Sequence, residues 1–376
     1  MLLLSQILTD EPVMTQFIHN SGPEVLLDAI LKMCSILIPK LLDCLILVVE
    51  AVPQIAFQEA HLQKLSPYLL CTDITQRQIS VYLFTMLLDG HHYKSTRVFN
   101  IIIENLLKNT ILEAKEELLT SALTLLLKIA AFHKSKEEFK FCFACDKICL
   151  LLKHSNPSIL HLSFLLLQVL FARYEPQNST VVSFLSNFSE ALHNADRDGK
   201  LAGLNAFSSI MTYLITYQTI STNKELTIVS DLIELIDNGK NDSIIQIASL
   251  RLCYSFCVNS VSVECFKCHI DHFVSLLDIK SNEMIEVTIS SFASYCLSAI
   301  LIYYDPIDII NDHIQTIKTF LISSLENFQS ELSISALRLL GVLVGKISGA
   351  MLADKHNILS KFPPFLEFWI KKTDDP

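Results

Sequence analysis

The segment "LLKHSNPSILHLSFLLLQVLFAR", Leu151 to Arg173, begins with a polar turn and then turns almost wholly apolar. Apolar side chains fall at every angle of a 3.6-residue period, so the spacing predicts a helix buried on most of its sides. Similar segments recur. With a small residue as anchor, Ser80, Ala122, Ser163, Ala206, Ser249, Ser291 and Ala336 follow one another at gaps of 42, 41, 43, 43, 42 and 45. After each anchor the first, fourth and eighth residues are apolar. Four residues before it stands an apolar or small residue in every case except Gln76. A register one residue away at Ser249 or Ser291 matches nearly as well. Turn-prone clusters lie upstream, among them Asn156-Pro157, Asp198-Gly199, Asn241-Asp242, Ser281-Asn282 and Gln329-Ser330. Each is preceded by a short helix end. Self-similarity at about forty residues predicts stacked helical units, each covering its neighbour's apolar side.

The pattern over "LLKHSNPSILHLSFLLLQVL" resembles the last helix of an armadillo repeat. Asn156-Pro157 takes the turn, Ser163 the small-residue slot where helices cross closely, and Leu166, Leu167 and Leu170 the core. "SISALRLLGVLVG" and "IQIASLRLCYSFC" repeat it. The resemblance is to the armadillo/HEAT-like superfamily and covers roughly residues 65–349. It implies an all-α fold, a right-handed α-α superhelix of about eight repeats forming one domain over residues 1–376. Residues 1–64 are less regular: "SGPEVLLDAILKMCSILIPKLLDCLILVVEAV" reads as two helices broken near Pro39, roughly one more repeat. Residues 350–376 read as a C-terminal helix, with Trp369, and a charged tail. The apolar opening "MLLL" lacks the polar outer cap of a terminal repeat, which raises the alternative of a helical regulatory fragment of a larger protein.

Composition agrees with packed helices: 51% hydrophobic residues, 18% charged and only 8 glycines among 376 residues. Disorder is excluded. The net charge of -10 argues against nucleic acid as the main ligand, because phosphate contacts want lysine and arginine clusters. The densest basic spots, Lys134/Lys136/Lys140 and Lys371/Lys372, are mixed with acids and read as solvated helix ends. The 11 cysteines mostly sit in apolar runs, as small hydrophobes in a reducing cytoplasm or nucleus do. Mean hydropathy is high, +0.42. Two stretches lack Asp, Glu, Lys and Arg, Leu201 to Asn223 and Val287 to Tyr304. Their many hydroxyl and amide side chains argue against membrane spans, although a membrane-embedded helical protein stays a lesser alternative.

Few motifs carry chemistry. Cys265-Phe266-Lys267-Cys268-His269 has the spacing of c-type haem attachment, but no strand-helix-strand context or export signal accompanies it. It reads as semi-buried thiols near a helix start. Cys142, Cys145, Cys149 and His154 could form a four-ligand zinc set. "FKFCFACDKICLLLKH" reads better as one buried helix. His91-His92-Tyr93 reads as a loop. Gly341, Gly345 and Gly349 form a small-residue ridge at four-residue steps, read as one helix face packed against the next repeat. No phosphate loop, dinucleotide loop, zinc-protease or nucleophile-elbow motif occurs. The expectation is a non-enzymatic scaffold or adaptor without a cofactor, binding protein partners on an extended surface, with no nucleic acid and no membrane; the acidic balance of the whole chain favours basic partner segments. The Asn and Trp ladder of nuclear-import armadillo proteins is missing: Thr85, Lys128, Gln168, Thr212 and Ser255 hold the corresponding places. Arg251 and Arg338, both two residues after an anchor, are the candidate partner-binding residues.

Overall fold

The structure, a computed structural model, describes residues 6, 8–32, 37–52, 59–90, 96–107, 115–132, 142–217, 222–238, 242–258, 263–278, 283–326 and 330–361. Every regular element among them is a helix. The chain divides into two compact units, residues 1–206 and 207–376.

In the first unit the helices are α1 (Glu11–His19), α2 (Gly22–Lys32), α3 (Ile38–Ala51), α4 (Glu59–Leu65), α5 (Ile74–Gly90), α6 (Thr96–Asn105), α7 (Glu116–Phe132), α8 (Cys142–Leu151), α9 (Pro157–Arg173) and α10 (Asn178–Asn194), followed by the start of α11 (Arg197–Tyr217). Pro39 lies in the first turn of α3, where its missing N–H costs nothing. The long helices α3, α5, α7 and α9 pack against one another in chain order.

The start of α9 shows how the turn sequence sets the helix. Asn156 is its N-cap: Oδ1 accepts from the Ser158 N–H at 2.9 Å, and Pro157 follows with φ already helical. Nδ2 of the same side chain donates to Glu116 Oε2 at 2.8 Å, tying α9 to the start of α7. From there Ile159, Leu160, Ser163, Phe164, Leu166, Leu167, Leu170 and Phe171 are buried. Phe171 and Phe184 meet edge to face at 5.3 Å between ring centres, and Phe184 and Phe188 lie 5.4 Å apart, so α9 and α10 share an aromatic seam.

The second unit takes the rest of α11, then α12 (Thr222–Asn238), α13 (Ser243–Val258), α14 (Val263–Phe266), α15 (Ile270–Ser275), α16 (Met284–Tyr303), α17 (Pro306–Ile310), α18 (Ile314–Glu326), α19 (Ser330–Val344) and α20 (Ile347–Lys355). Here α13, α16 and α19 pack in chain order. Phe207, Phe256, Phe266 and Phe273 form a continuous chain of rings through the core, with centres 5.3 to 6.3 Å apart.

All seven anchor residues are buried. Ser163, Ser249 and Ser291 make no hydrogen bond through Oγ among the described residues, so small volume is what their positions require. On α16 the register differs by one from the Ser291 choice. The residue two after Ser291, Ala293, is buried, whereas Arg251 and Arg338 are exposed two after their anchors. Counting from Ser290 puts half-exposed Phe292 in that place. Ser290 donates to the Leu276 carbonyl at 2.7 Å, a contact its neighbour does not have.

A second regularity lies in long-range side-chain donors that reach main-chain carbonyls about forty residues away. In the first unit Asn105 donates to Ser66 O (3.1 Å), Lys147 to Leu107 O (2.7 Å), Asn187 to Cys149 O (3.0 Å) and Arg173 to Ala130 O. In the second, Lys346 donates to Tyr304 O and Lys318 to His356 O, both at 2.7 Å. Several of these carbonyls belong to helix C-terminal turns, where the helix's own i+4 amide donors run out.

Candidate interaction surface

In the second unit one face of each long helix stays open, and the three faces meet. On α13 the exposed or half-exposed positions of that face are Ile244, Ile247, Ala248, Arg251, Tyr254, Ser255 and Val258. On α16 they are Ile285, Thr288, Ile289, Phe292, Tyr295 and Ile302, and on α19 they are Glu331, Ile334, Arg338 and Gly341. Each set repeats at three- and four-residue steps, which places it on one side of its helix.

Side chains join these faces into one surface. The Tyr254 and Tyr295 rings lie 5.5 Å apart at 36°. Phe292 meets Tyr295 edge to face at 6.1 Å. The Arg338 guanidinium stands over both tyrosines, 5.4 Å from the Tyr254 ring centre and 5.7 Å from that of Tyr295. Its Nη1 donates to the Tyr254 hydroxyl at 2.6 Å. Arg338 on α19 therefore reaches α13 across the intervening α16. Burial pushes the Tyr295 hydroxyl above its ordinary value, the Glu331 carboxylate adds to that shift, and Arg338 opposes it. A β-carbon placed on Gly341 would meet nothing within 4 Å, so open space lies above this part of α19.

Both sequence candidates, Arg251 and Arg338, thus lie on this surface. Tyr254, Phe292 and Tyr295 escaped the sequence reading. The available signal was the 41-residue step from Tyr254 to Tyr295, hidden by the register chosen on α16.

The other candidates fall elsewhere. Cys265 is buried and Cys268 exposed, in the short helical segment from α14 into a 3-10 turn, and Cys268 Sγ donates to the Cys265 carbonyl at 3.3 Å. Burial lowers the pKa of His269, with His272 adding to the effect and Asp237 opposing it. Cys145 and Cys149 are buried in α8. Burial raises the Cys149 thiol well above its ordinary value, with Cys145 and Asp146 adding to the shift, and its Sγ lies 3.9 Å from the Thr180 carbonyl. His154 accepts from the Asn156 N–H at 3.0 Å, within the turn before α9. Among the described residues no three His, Cys, Asp or Glu side chains gather as a metal site.

The glycine ridge is corrected. α19 ends at Val344, and α20 leaves at 112° to it, so Gly341 and Gly349 occupy different helices. Only Gly349 is sterically required: a β-carbon there would lie 2.1 Å from Leu343 O. His91-His92-Tyr93, the Lys134/Lys136/Lys140 cluster and the tail with Trp369 and Lys371/Lys372 lie outside the described residues.

By length and composition α16 could cross a membrane, the one single helix among the described residues that could. Of its most apolar 18-residue window, 61% is buried within the protein, with α13 and α19 packed on it.

No protein-family profile matches the chain. No curated protein matches it either. Solved structures do: 123 chains match. One is the crystal structure of an engineered protein from the Northeast Structural Genomics Consortium, 14% identical, with a TM-score of 0.66 over 96% of this chain and 88% of that one. This likeness establishes an all-helical fold in common and extends over nearly the whole chain.

Proposed function

We propose that the chain is an armadillo/HEAT-like superhelix of about eight repeats and serves as a non-enzymatic scaffold or adaptor, holding protein partners along an extended surface in the cytoplasm or nucleus. The anchor spacing and the chain-order packing of the long helices support the repeat reading. The observation that carries the functional reading is the contact of Arg338 with Tyr254 across α16. Adjacent helix axes lie about 8–10 Å apart, so in a flat layer α13 and α19 would stand roughly 16–20 Å from each other. Their side chains meet more readily if the layer bows inward, and a concave, solvent-open face with aromatic and cationic side chains suits an extended partner.

The test is affinity purification of the full chain from its native cells, followed by reconstitution of the purified pair. A discrete protein should bind the native chain and lose affinity for a Gly341→Trp variant, whose side chain fills the open space over α19. A partner indifferent to that variant, or turnover of a small molecule by the purified chain, would refute the proposal.

A further inference from the structure

The open face of α13, α16 and α19 carries an unusual balance of groups for so acidic a chain. Arg251 is exposed, and its side chain makes no hydrogen bond or ion pair among the described residues. Arg338 has no carboxylate partner among them either; its single hydrogen bond goes to a neutral tyrosine hydroxyl. The chain holds 39 acidic against 29 basic residues, yet these two cations are left without acids. Glu331, at the start of α19, is the acid that bears on this surface, through Tyr295 at one edge.

Arg338 is also held in place. Two tyrosine faces and one hydroxyl fix the plane of its guanidinium, and only one of its five N–H donors is engaged there. A planar fork ordered before binding loses little entropy when a carboxylate docks on it. Around it the surface is apolar. Ile244, Ile285 and Ile334 are 52%, 47% and 56% exposed, and Phe292 and Tyr295 are half-buried between them.

We propose that this face receives an extended segment of another protein in which acidic and apolar side chains are interspersed, its carboxylates meeting Arg251 and Arg338 and its apolar side chains lying on Phe292, Tyr295 and Ile334. The assignment rests on the scaffold reading above and specifies its partner chemistry. Complementary charge selects the segment and steers its approach, and the aromatic and isoleucine contacts supply buried area. Geometry also sets a spacing. Arg251 lies one helical turn before Tyr254, over which the Arg338 guanidinium stands, so the two cations are separated by on the order of 7–12 Å. An extended chain rises about 3.3 Å per residue, so the two carboxylates belong about two to four positions apart.

The probe is a displayed library of random peptides, about twelve residues long, selected against the full chain and then measured as labelled synthetic peptides. Selected sequences should carry paired Asp or Glu at the spacing given above, flanked by Leu, Ile or Phe. Binding should weaken about tenfold on Arg338→Glu and further in the Arg251→Glu/Arg338→Glu double variant, and it should fall with added salt. Replacing the acidic residues by Lys should restore binding to the double variant. Arg251→Gln and Arg338→Gln, with circular dichroism on all variants, keep the test open if the double reversal disturbs folding.

Acidic peptides that bind the double variant as well as the native chain would overturn the assignment, as would selected peptides without acidic residues. If acid-free peptides are selected and lost with Gly341→Trp, the docking face stands and the charge assignment falls. If no peptide responds to Gly341→Trp or to arginine exchange, or none is selected, both readings fall.

Discussion

The long helices of the two units hide similar cores behind unlike open faces. In the first unit the half-exposed side of α7 carries Thr120, Ser121 and Thr124. Each hydroxyl donates back to the carbonyl four residues earlier in its own helix, at 2.8 to 2.9 Å. These groups are satisfied locally and offer a partner little. In the second unit the same side of α13, α16 and α19 carries tyrosines, a phenylalanine and two arginines, whose contacts run between helices 41 to 84 residues apart. Packing of the apolar side builds the fold in both units; on the open side the first unit has a cross-helix contact from the exposed Tyr82 hydroxyl on α5 to Glu50 Oε1 on α3 at 3.4 Å, whereas the aromatic and cationic network spanning three helices lies in the second.

Substitutions can test that division. The largest effects belong to the cores and should be alike in both units: Phe184→Ala and Phe256→Ala should each cost about 3–5 kcal/mol, measured by urea melting of the full chain. A strongly unequal pair would show that the two cores are not comparable. Overfilling the helix crossings comes next. Ser163→Leu and Ser290→Leu should each destabilise by about 1–3 kcal/mol, and a neutral Ser290→Leu would return the α16 anchor to Ser291. Removing the α9 cap by Asn156→Ala should cost about 1 kcal/mol.

The open faces then separate the units. Arg338→Ala should cost about 0.5–1 kcal/mol of stability through its lost stacking on two tyrosines, while Thr124→Ala should leave stability nearly unchanged. Equal effects at the two positions would end the contrast. The smallest effect is a pH dependence in the second unit. Burial lowers the pKa of folded His269, so below about pH 6.5 the unfolded chain takes up this proton first. Its contribution is present above that pH and declines as the solution is acidified toward the folded-state value. His269→Gln should flatten that limb of a pH-melting series.

Much of the fold was legible in the sequence because burial leaves a periodic trace. Crowded apolar positions announce α9, and small residues at forty-odd spacing mark sites that all prove buried. The anchors Ser290 and Ser291 show the limit of that signal. Both are small and both are buried, so the choice between them depends on which neighbour faces outward. The glycines failed for a related reason. Spacing at four residues looks the same whether a helix continues or breaks, and neither Gly345 nor Lys346 carries the proline that would mark the 112° turn. Arg251 and Arg338 could be found because they keep a fixed offset from their anchors. Their union with Tyr254 and Tyr295 could not, since it arises from side chains leaning across a third helix, and residue order alone does not encode that approach.

The lysine, asparagine and arginine donors that clasp main-chain oxygens about forty residues away bear on how the chain would yield to force. Each holds a stretch of the neighbouring helical layer, so tension on one end would not peel off single helices one after another. It would release larger blocks: the overlapping Leu107–Lys147, Ala130–Arg173 and Cys149–Asn187 clasps tie residues 107–187 together, and such a stretch drawn out straight extends by about 27 nm. A single-molecule stretching trace through the stacked layers would then show a sawtooth with that step.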